Sequence, residues 1–188
     1  MRTAYIGMGA NLASWAGTPE ATLAAAVLRL ESLGCVTGQS SLYSTEPVGF
    51  AQQPRFVNAV VALETELDPQ ELLKGLLDLE REFGRDRAAG FVNGPRTLDL
   101  DILLFDNLKI GEPGLEIPHP RLAERAYVLV PLCEIAPGAV DAGSGMTVSQ
   151  LLHDLKNTIG NETDAVVSIQ SDGWHAAADG GGLLPGPA

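Results

Sequence analysis

Apolar residues that alternate along the chain or recur at helical spacing predict four strands and two helices, in the order β-α-β-β-α-β. The strand-forming stretches are residues 3–9, 36–44, 56–67 and 98–105. Between them, apolar residues recur at helical spacing after Thr18 and again after Asp68. Both residues are good N-caps, and each is followed by a proline, which suits the first helical turn. Gly34 and Gly84 are expected to end the two helices.

This order of elements indicates an α+β domain of the ferredoxin-like split βαβ type (βαββαβ). An antiparallel sheet is expected to pack against helices in three layers, α/β/α, with residues 126–135 and 148–155 adding apolar segments. From residue 157 onward the chain has no lysine or arginine, and it ends in a glycine-rich run. We therefore expect a folded domain over residues 1–157 and an extension over residues 158–188, of which at least the last ~15 residues are disordered.

Composition narrows the class of protein. The chain has 188 residues, 45% hydrophobic and 19% charged, which excludes global disorder and fits a single globular domain. A net charge of −12 argues against a general nucleic-acid binder, because such binding depends on neutralising phosphates.

No apolar run is long enough to span a membrane, and the first residues lack a signal-peptide layout, so we expect a cytoplasmic protein. Cys35 and Cys133 are expected to be buried thiols rather than a disulfide.

The basic residues of this acidic chain are concentrated in one region. Seven of the twelve lie between Arg81 and Arg125. Such a cluster predicts a local site for a small anion. Two irregular segments, residues 45–54 and 85–94, interrupt the predicted elements, and the first is longer than an ordinary hairpin connection. We expect both loops to be functional.

Two aspartates open the last predicted strand. Because side chains alternate along a strand, Asp99 and Asp101 share one face, while Leu98, Leu100 and Ile102 share the other. Two acids on one face of an otherwise apolar strand repel each other unless a cation lies between them. The alternative is an ordinary solvent-facing strand side. The apolar run that follows favours a buried strand and a site for a divalent cation such as Mg²⁺, which takes one or two carboxylates together with phosphate oxygens.

Three arginines accompany this carboxylate pair. Arg96 stands just before the strand, and Arg85 and Arg87 lie in the preceding loop. Guanidinium groups hold phosphate oxygens bidentately and suit phosphoryl transfer. Any one of them could instead be a solvated loop arginine, but three near one carboxylate pair favour a phosphate site.

At this point the sequence resembles the family of 6-hydroxymethyl-7,8-dihydropterin pyrophosphokinases. The resemblance lies in a series of motifs that keep their order and spacing over about residues 3–155. They are the residue runs 5–12, 45–49, 56–59, 84–85, 94–104, 117–121 and 132–137. Each motif alone is weak evidence, whereas the ordered series is highly specific.

The resemblance implies transfer of pyrophosphate from ATP to the hydroxymethyl group of the pterin, with release of AMP, in folate biosynthesis. It implies that Asp99 and Asp101 bind two Mg²⁺ ions and that Arg85 and Arg96 assist the transfer. The residues that it places at the ATP are Glu80, Arg87, Ile102, His119 and Arg125. We also expect a monomer that binds neither nucleic acid nor membrane, and removal of the extension is expected to leave activity intact.

For the pterin, the resemblance points to five residues, Thr45, Val48, Phe56, Asn58 and Tyr127. The Asn58 amide both donates and accepts hydrogen bonds, which matches an aminopyrimidinone edge. Phe56 and Tyr127 match positions that sandwich the ring. Without the resemblance, Asn58 is equally a strand residue that satisfies the backbone, and Tyr127 is equally plain core.

The sequence departs from the family pattern at several positions. Glu46 stands where proline is frequent, Leu77 where some relatives have glutamine, and Asn93 where some have tryptophan. None of these positions is in the carboxylate pair.

Two other functions remain open from the sequence. One is a different Mg–ATP phosphotransferase that yields ADP, although no P-loop motif is present. The other is a single-stranded RNA-binding module of the same topology, which needs exposed aromatic residues and a basic face. Aromatic residues make up only 5% of the chain, which disfavours the RNA-binding module.

Overall fold

The computed structural model describes residues 1–87, 94–159 and 165–174. Its strands are β1 (Arg2–Ala10), β2 (Cys35–Gln39), β3 (Leu42–Thr45), β4 (Phe56–Thr65), β5 (Asp99–Phe105), β6 (Ile110–Glu112), β7 (Leu115–Ile117) and β8 (Val167–Ile169). Its helices are α1 (Pro19–Leu30), α2 (Pro69–Glu82), α3 (Ala126–Ile135) and α4 (Val148–Ile159). None of the helices in these described ranges is long and apolar enough to cross a membrane.

One antiparallel sheet organises the chain, in the order β5-β1-β4-β3-β8, with β2 also pairing with β4. The predicted ferredoxin-like order is therefore confirmed. The predicted strand over residues 36–44 is two strands instead of one. β2 pairs with the second half of β4, around Val61, and β3 pairs with the first half, around Asn58.

Each face of the sheet carries its own core, which confirms the three layers. On one face, α1 and α2 cover buried residues such as Ile6 and Leu100. On the other face, α3 and α4 cover Val60 and Leu103. Burial of apolar surface on both sides of one sheet is the main stabilising contribution to such a fold.

Both predicted helix starts are confirmed. The Thr18 hydroxyl accepts a hydrogen bond from the Ala21 amide at 3.4 Å, and Asp68 forms a capping box with Glu71. The predicted role of Gly34 is wrong, because α1 ends at Leu30 and Gly34 lies beyond it. Glycine is required at position 34 by a close approach to β4, since a Cβ there would lie 2.3 Å from the carbonyl oxygen of Glu64.

The cysteine prediction is wrong in one respect. Both thiols are free, as expected, but Cys35 is exposed and Cys133 is only half-buried. Cys35 begins β2, where the side chains alternate between exposed and half-buried positions. A strand at the margin of a sheet does not bury both of its faces.

Part of the extension packs on the domain. β8 runs antiparallel to β3, and the Trp174 indole donates a hydrogen bond to the Ser40 carbonyl at 2.9 Å. The predicted disorder of the last residues concerns positions that, apart from Trp174, lie outside the described residues. The boundary at residue 157 stays a prediction. The pairing with β3 argues against the expectation that the extension is dispensable.

We expect Gly34→Ala to lower the free energy of unfolding by about 2 kcal/mol, because the added Cβ must displace the β4 backbone. Gly111→Ala is the matched control, since nothing lies within 4 Å of a Cβ at that position. Urea denaturation of both variants measures the difference. Equal and small losses in the two variants would contradict the close-approach explanation.

Candidate active site

A cavity of about 290 Å³ opens on the sheet face that α3 covers. Its floor is made by three neighbouring strands. In the strand register, Gly9 of β1 lies directly between Asn58 of β4 and Asp99 of β5. Gly7 lies in the same way between Val60 and Asp101. The two glycines therefore add no side chain of their own to the floor between β4 and β5.

Most of the predicted site residues line this cavity. They are Thr45, Val48, Phe56, Asn58, Arg85, Arg87, Arg96, Asp99, Asp101, His119, Arg125 and Tyr127. They come from β3, β4, β5, the start of α3 and the loops between elements. Residues that are up to 82 positions apart in the sequence (Thr45 and Tyr127) thus meet at one place.

Two arginines clamp the first aspartate. Arg96 Nη1 lies 2.6 Å from Asp99 Oδ2, and Arg85 donates to the other carboxylate oxygen. Burial alone would raise the pKa of Asp99, but the positive charges of Arg85 and Arg96 outweigh it, so the pKa is lowered. Asp99 is therefore ionised at neutral pH.

The second aspartate lacks such a clamp. Burial, followed by the negative charge of Asp99, raises the pKa of Asp101 to about 6. His119 Nε2 lies 3.9 Å from Asp101 Oδ2. A cation placed beside both carboxylates would relieve the repulsion between them and favour the ionised form of Asp101.

His119 is neutral at pH 7. Burial and the nearby Arg125 lower its pKa to about 4. The Arg121 amide donates to His119 Nδ1 at 3.1 Å, so the ring proton of the neutral imidazole is on Nε2, on the side of Asp101. His119 consequently presents a hydrogen-bond donor to the carboxylate end of the cavity.

The residues available to a metal are the two aspartates. The described ranges contain no group of three or more histidine, cysteine or acidic side chains arranged to hold an ion. A metal held by Asp99 and Asp101 must therefore complete its coordination with water and with a bound ligand. This donor set fits Mg²⁺, which commonly keeps several waters and uses substrate phosphate oxygens.

Glu80 lies behind the arginines and not on the cavity wall. Its side chain is 1% exposed, and it accepts hydrogen bonds from Arg85 at 2.7 Å, from Arg87 at 2.9 Å and from the Leu100 amide at 2.9 Å. Burial raises the pKa of Glu80, and these donors partly offset the effect. The carboxylate of Glu80, which was predicted to lie at the ATP, thus contacts Arg85 and Arg87 and does not line the cavity.

The side chain of Ile102, also predicted to lie at the ATP, does not line the cavity. Its side chain is buried in the core under α1 and α2, on the face opposite the cavity. The alternation of side chains along β5 dictates this placement, because Ile102 follows Asp101 directly. The side chain of Ile102 therefore cannot contact a ligand in the cavity.

A polar pair forms the other half of the site. Asn58 is 7% exposed, and its amide donates to the Thr45 hydroxyl at 2.8 Å. Phe56 and Tyr127 are half-buried and line the cavity, so Tyr127 is not plain core. Val48 lies at the cavity with more than half of its surface exposed.

Sequence reasoning missed some cavity residues. Arg121 lines the cavity and was visible only as one member of the basic cluster. Glu46, noted only as a departure from the family, also lines it and pairs with Arg55 across the base of the 46–54 loop. The departure at Asn93 lies outside the described residues.

Comparison with known proteins gives a consistent set of matches. Residues 5–137 match the family model described as 7,8-dihydro-6-hydroxymethylpterin-pyrophosphokinase (HPPK). The chain is 45% identical over 134 residues to the 2-amino-4-hydroxy-6-hydroxymethyldihydropteridine pyrophosphokinase of Bacillus subtilis, covering 70% of this chain and 77% of that protein. The protein of the same name from Pseudomonas aeruginosa is 44% identical over 135 residues, covering 71% of this chain and 80% of that one.

A solved structure shares the fold. Wild-type HPPK-DHPS of Plasmodium falciparum is 15% identical with a TM-score of 0.67, covering 86% of this chain and 47% of that one. The present chain therefore spans about half the length of that protein. At this identity the likeness shows the common fold alone.

We expect Glu80→Ala to lower the free energy of unfolding by about 3 kcal/mol, because it leaves the buried Leu100 amide without its acceptor and removes one of the two acidic partners of Arg85. Glu82→Ala on the same helix removes an ion pair with Arg29 whose side chains are 52% and 37% exposed, and should cost less than about 1 kcal/mol. Guanidinium denaturation compares the two. Similar losses would show that Glu80 does not organise the arginines.

Proposed function

Because the chain belongs to the 7,8-dihydro-6-hydroxymethylpterin-pyrophosphokinase family, we propose that it transfers the pyrophosphoryl group of ATP to 6-hydroxymethyl-7,8-dihydropterin. AMP is the second product, and the reaction is a step of folate biosynthesis. The observation that carries this proposal is the shared cavity, in which a polar pair and an arginine-clamped carboxylate lie on either side of Gly9.

The Asn58 side of the cavity suits the pterin. The Asn58 carboxamide and the Thr45 hydroxyl provide both donors and acceptors for an aminopyrimidinone edge. Phe56 and Tyr127 offer aromatic faces on which a flat ring gains buried area and stacking energy. The floor at Gly9 then directs the hydroxymethyl group toward Asp99.

The arginine side suits the triphosphate. Five guanidinium groups line the cavity, those of Arg85, Arg87, Arg96, Arg121 and Arg125. A guanidinium group binds phosphate oxygens through two parallel hydrogen bonds and stabilises the charge that develops on those oxygens during transfer. His119 adds a neutral donor beside them. Glu80 holds Arg85 and Arg87 in place before ATP arrives.

Asp99 and Asp101 would hold Mg²⁺, and the proposal includes two ions bound together with ATP. When bound, Mg²⁺ neutralises phosphate charge and polarises the oxygens of the reacting groups. The lowered pKa of Asp99 keeps one carboxylate ionised for this purpose. The fit rests on the donor set, since two carboxylates on one strand face leave the remaining coordination to water and phosphate.

In the proposed transfer, the hydroxymethyl oxygen of the pterin forms a bond to the β-phosphorus of ATP. The bond from that phosphorus to the oxygen bridging the α-phosphate breaks, AMP leaves with the electron pair, and the hydroxyl proton is released. Arg85 and Arg96 line the cavity, and in this proposal they stabilise the charge on the transferred group.

The remaining parts of the proposal concern partners and location. We propose a cytoplasmic monomer. The net charge of −12 opposes binding to nucleic acid or to an anionic membrane surface.

The proposal is tested by incubating the protein with Mg–ATP, with and without 6-hydroxymethyl-7,8-dihydropterin, and separating the nucleotides. We expect AMP that depends on the pterin, in equal amount to the pterin diphosphate. Formation of ADP would instead indicate an ordinary phosphotransferase. Absence of turnover with pterin and ATP would overturn the proposed function.

We expect Asp101→Ala to lower kcat by at least about 100-fold, because it removes one of the two carboxylates proposed to hold Mg²⁺. Asp154→Ala is the control, since Asp154 is exposed on α4. Pterin-dependent AMP release at saturating Mg²⁺ measures both variants. Near-full activity of Asp101→Ala would refute the metal assignment.

A further inference from the structure

Glu134 connects the third helix to the sheet through three hydrogen bonds. The Ser41 amide donates to Glu134 Oε2 at 2.9 Å, and the Ser41 hydroxyl donates to Oε1 at 2.8 Å. The Tyr43 hydroxyl donates to Oε2 at 2.9 Å. One carboxylate on α3 thereby bonds to two residues at β3, and neither the proposed catalysis nor ligand binding uses any of these three side chains.

The β3 end of this connection leads directly to the polar half of the cavity. Tyr43 is paired with Asn58 in the strand register, and two residues later Thr45 accepts the hydrogen bond of the Asn58 amide. A shift of β3 relative to the rest of the molecule would therefore move the Thr45 hydroxyl.

The α3 end leads to the aromatic wall of the cavity. Tyr127 precedes Glu134 by seven residues, or about two turns, so both side chains project from the same face of α3, about 10 Å apart along the helix axis. Because α3 continues as one helix from Tyr127 through Pro131 to Glu134, the anchor at Glu134 contributes to where the Tyr127 ring lies.

We propose that Glu134 is a positioning residue for the pterin, setting the distance between the Thr45–Asn58 edge and the Tyr127 ring. The inference rests on the proposed function for the identity of the ligand. A planar ring that is both hydrogen-bonded at its edge and stacked on its face is sensitive to this distance, since the two contacts come from different layers of the fold.

The chemistry of the contacts suits a positioning role. Hydrogen bonds to an ionised carboxylate are stronger than bonds between neutral groups. Burial and the bond to Glu134 raise the pKa of Tyr43 to about 12, so the hydroxyl remains a donor throughout the physiological range. Glu134 itself is exposed, while Val128, Leu129 and Leu132 bury α3 in its core. Loss of the carboxylate should therefore disturb alignment more than folding.

The position of β3 also depends on its two neighbouring strands. β4 pairs with one edge of β3 and β8 with the other, so both fix β3 within the sheet. β4 is linked to the helical layer that carries Tyr127 by apolar packing of Val60 against α3, whereas Glu134 is hydrogen-bonded to β3 itself. The three bonds of Glu134 connect these two layers next to the cavity.

The test compares Glu134→Ala, Glu134→Gln and Tyr43→Phe in the full chain, with Glu66→Gln as the matched control. Glu66 is exposed just beyond the far end of β4, away from Asn58. Steady-state kinetics give separate KM values for pterin and ATP together with kcat, and thermal unfolding reports folding.

We expect Glu134→Ala to raise the KM for pterin about ten-fold, with the KM for ATP changed by less than about two-fold. Glu134→Gln and Tyr43→Phe should each raise the KM for pterin about three-fold, because each variant keeps some of the hydrogen bonds between α3 and β3. The double variant Glu134→Ala/Tyr43→Phe should add nothing to Glu134→Ala alone.

An unchanged KM for pterin, or equal increases for both substrates, would overturn the positioning role. A fall in the unfolding temperature with unchanged KM values would show that Glu134 is purely structural. Failure of the proposed function is distinguishable, because the unsubstituted protein would then produce no pterin-dependent AMP.

Discussion

Two carboxylates on one face of a strand impose the constraint around which the site is built. Asp99 and Asp101 are placed side by side by the pleat of β5, and their charges repel. The chain compensates only one of them directly, through Arg85 and Arg96. Glu80, buried behind these residues, in turn holds Arg85. The charges of Glu80, Arg85, Asp99 and Arg96 thus alternate in sign through the site. Among the described residues, the negative charge of Asp101 has no such partner and faces the cavity.

The pairing of neighbouring strands in the antiparallel sheet brings the Asn58 side and the Asp99 side of the cavity together. Gly9 of the central strand separates Asn58 from Asp99 by one strand on each side, so their Cα atoms are about 10 Å apart. A side chain at position 9 would fill this gap, since its Cβ would lie 3.2 Å from the Asn58 side-chain oxygen. The ferredoxin-like topology therefore fixes the separation between the pterin side and the phosphate side through strand spacing alone.

Sequence patterns predicted the features that depend on local periodicity. The order of strands and helices along the chain, both helix caps and the shared face of Asp99 and Asp101 follow from residue spacing and could be predicted from the sequence alone. Features that depend on contacts between distant segments could not be predicted in this way. The sequence around Gly34 is typical of a helix end, and only the fold shows that β4 lies against it. The sequence around Glu80 is typical of an exposed helical acid, and only the fold shows that Arg85 and Leu100 surround it. The pairing of β8 with β3 was likewise hidden by the polar composition around it.

The charge balance of the cavity explains why a triphosphate would need to bring cations with it. Two of the five arginines on its wall, Arg85 and Arg96, are already paired with Asp99, and Arg87 is paired with Glu80. These ion pairs orient the guanidinium groups before any ligand binds. The paired carboxylates also reduce the net positive charge of the cavity wall. An entering polyphosphate therefore meets positioned donors at Arg85, Arg87 and Arg96 whose positive charge is largely offset, while Asp101 adds a further negative charge nearby. A divalent cation held by Asp99 and Asp101 would offset this repulsion, since carboxylate and phosphate oxygens are both ligands that Mg²⁺ takes.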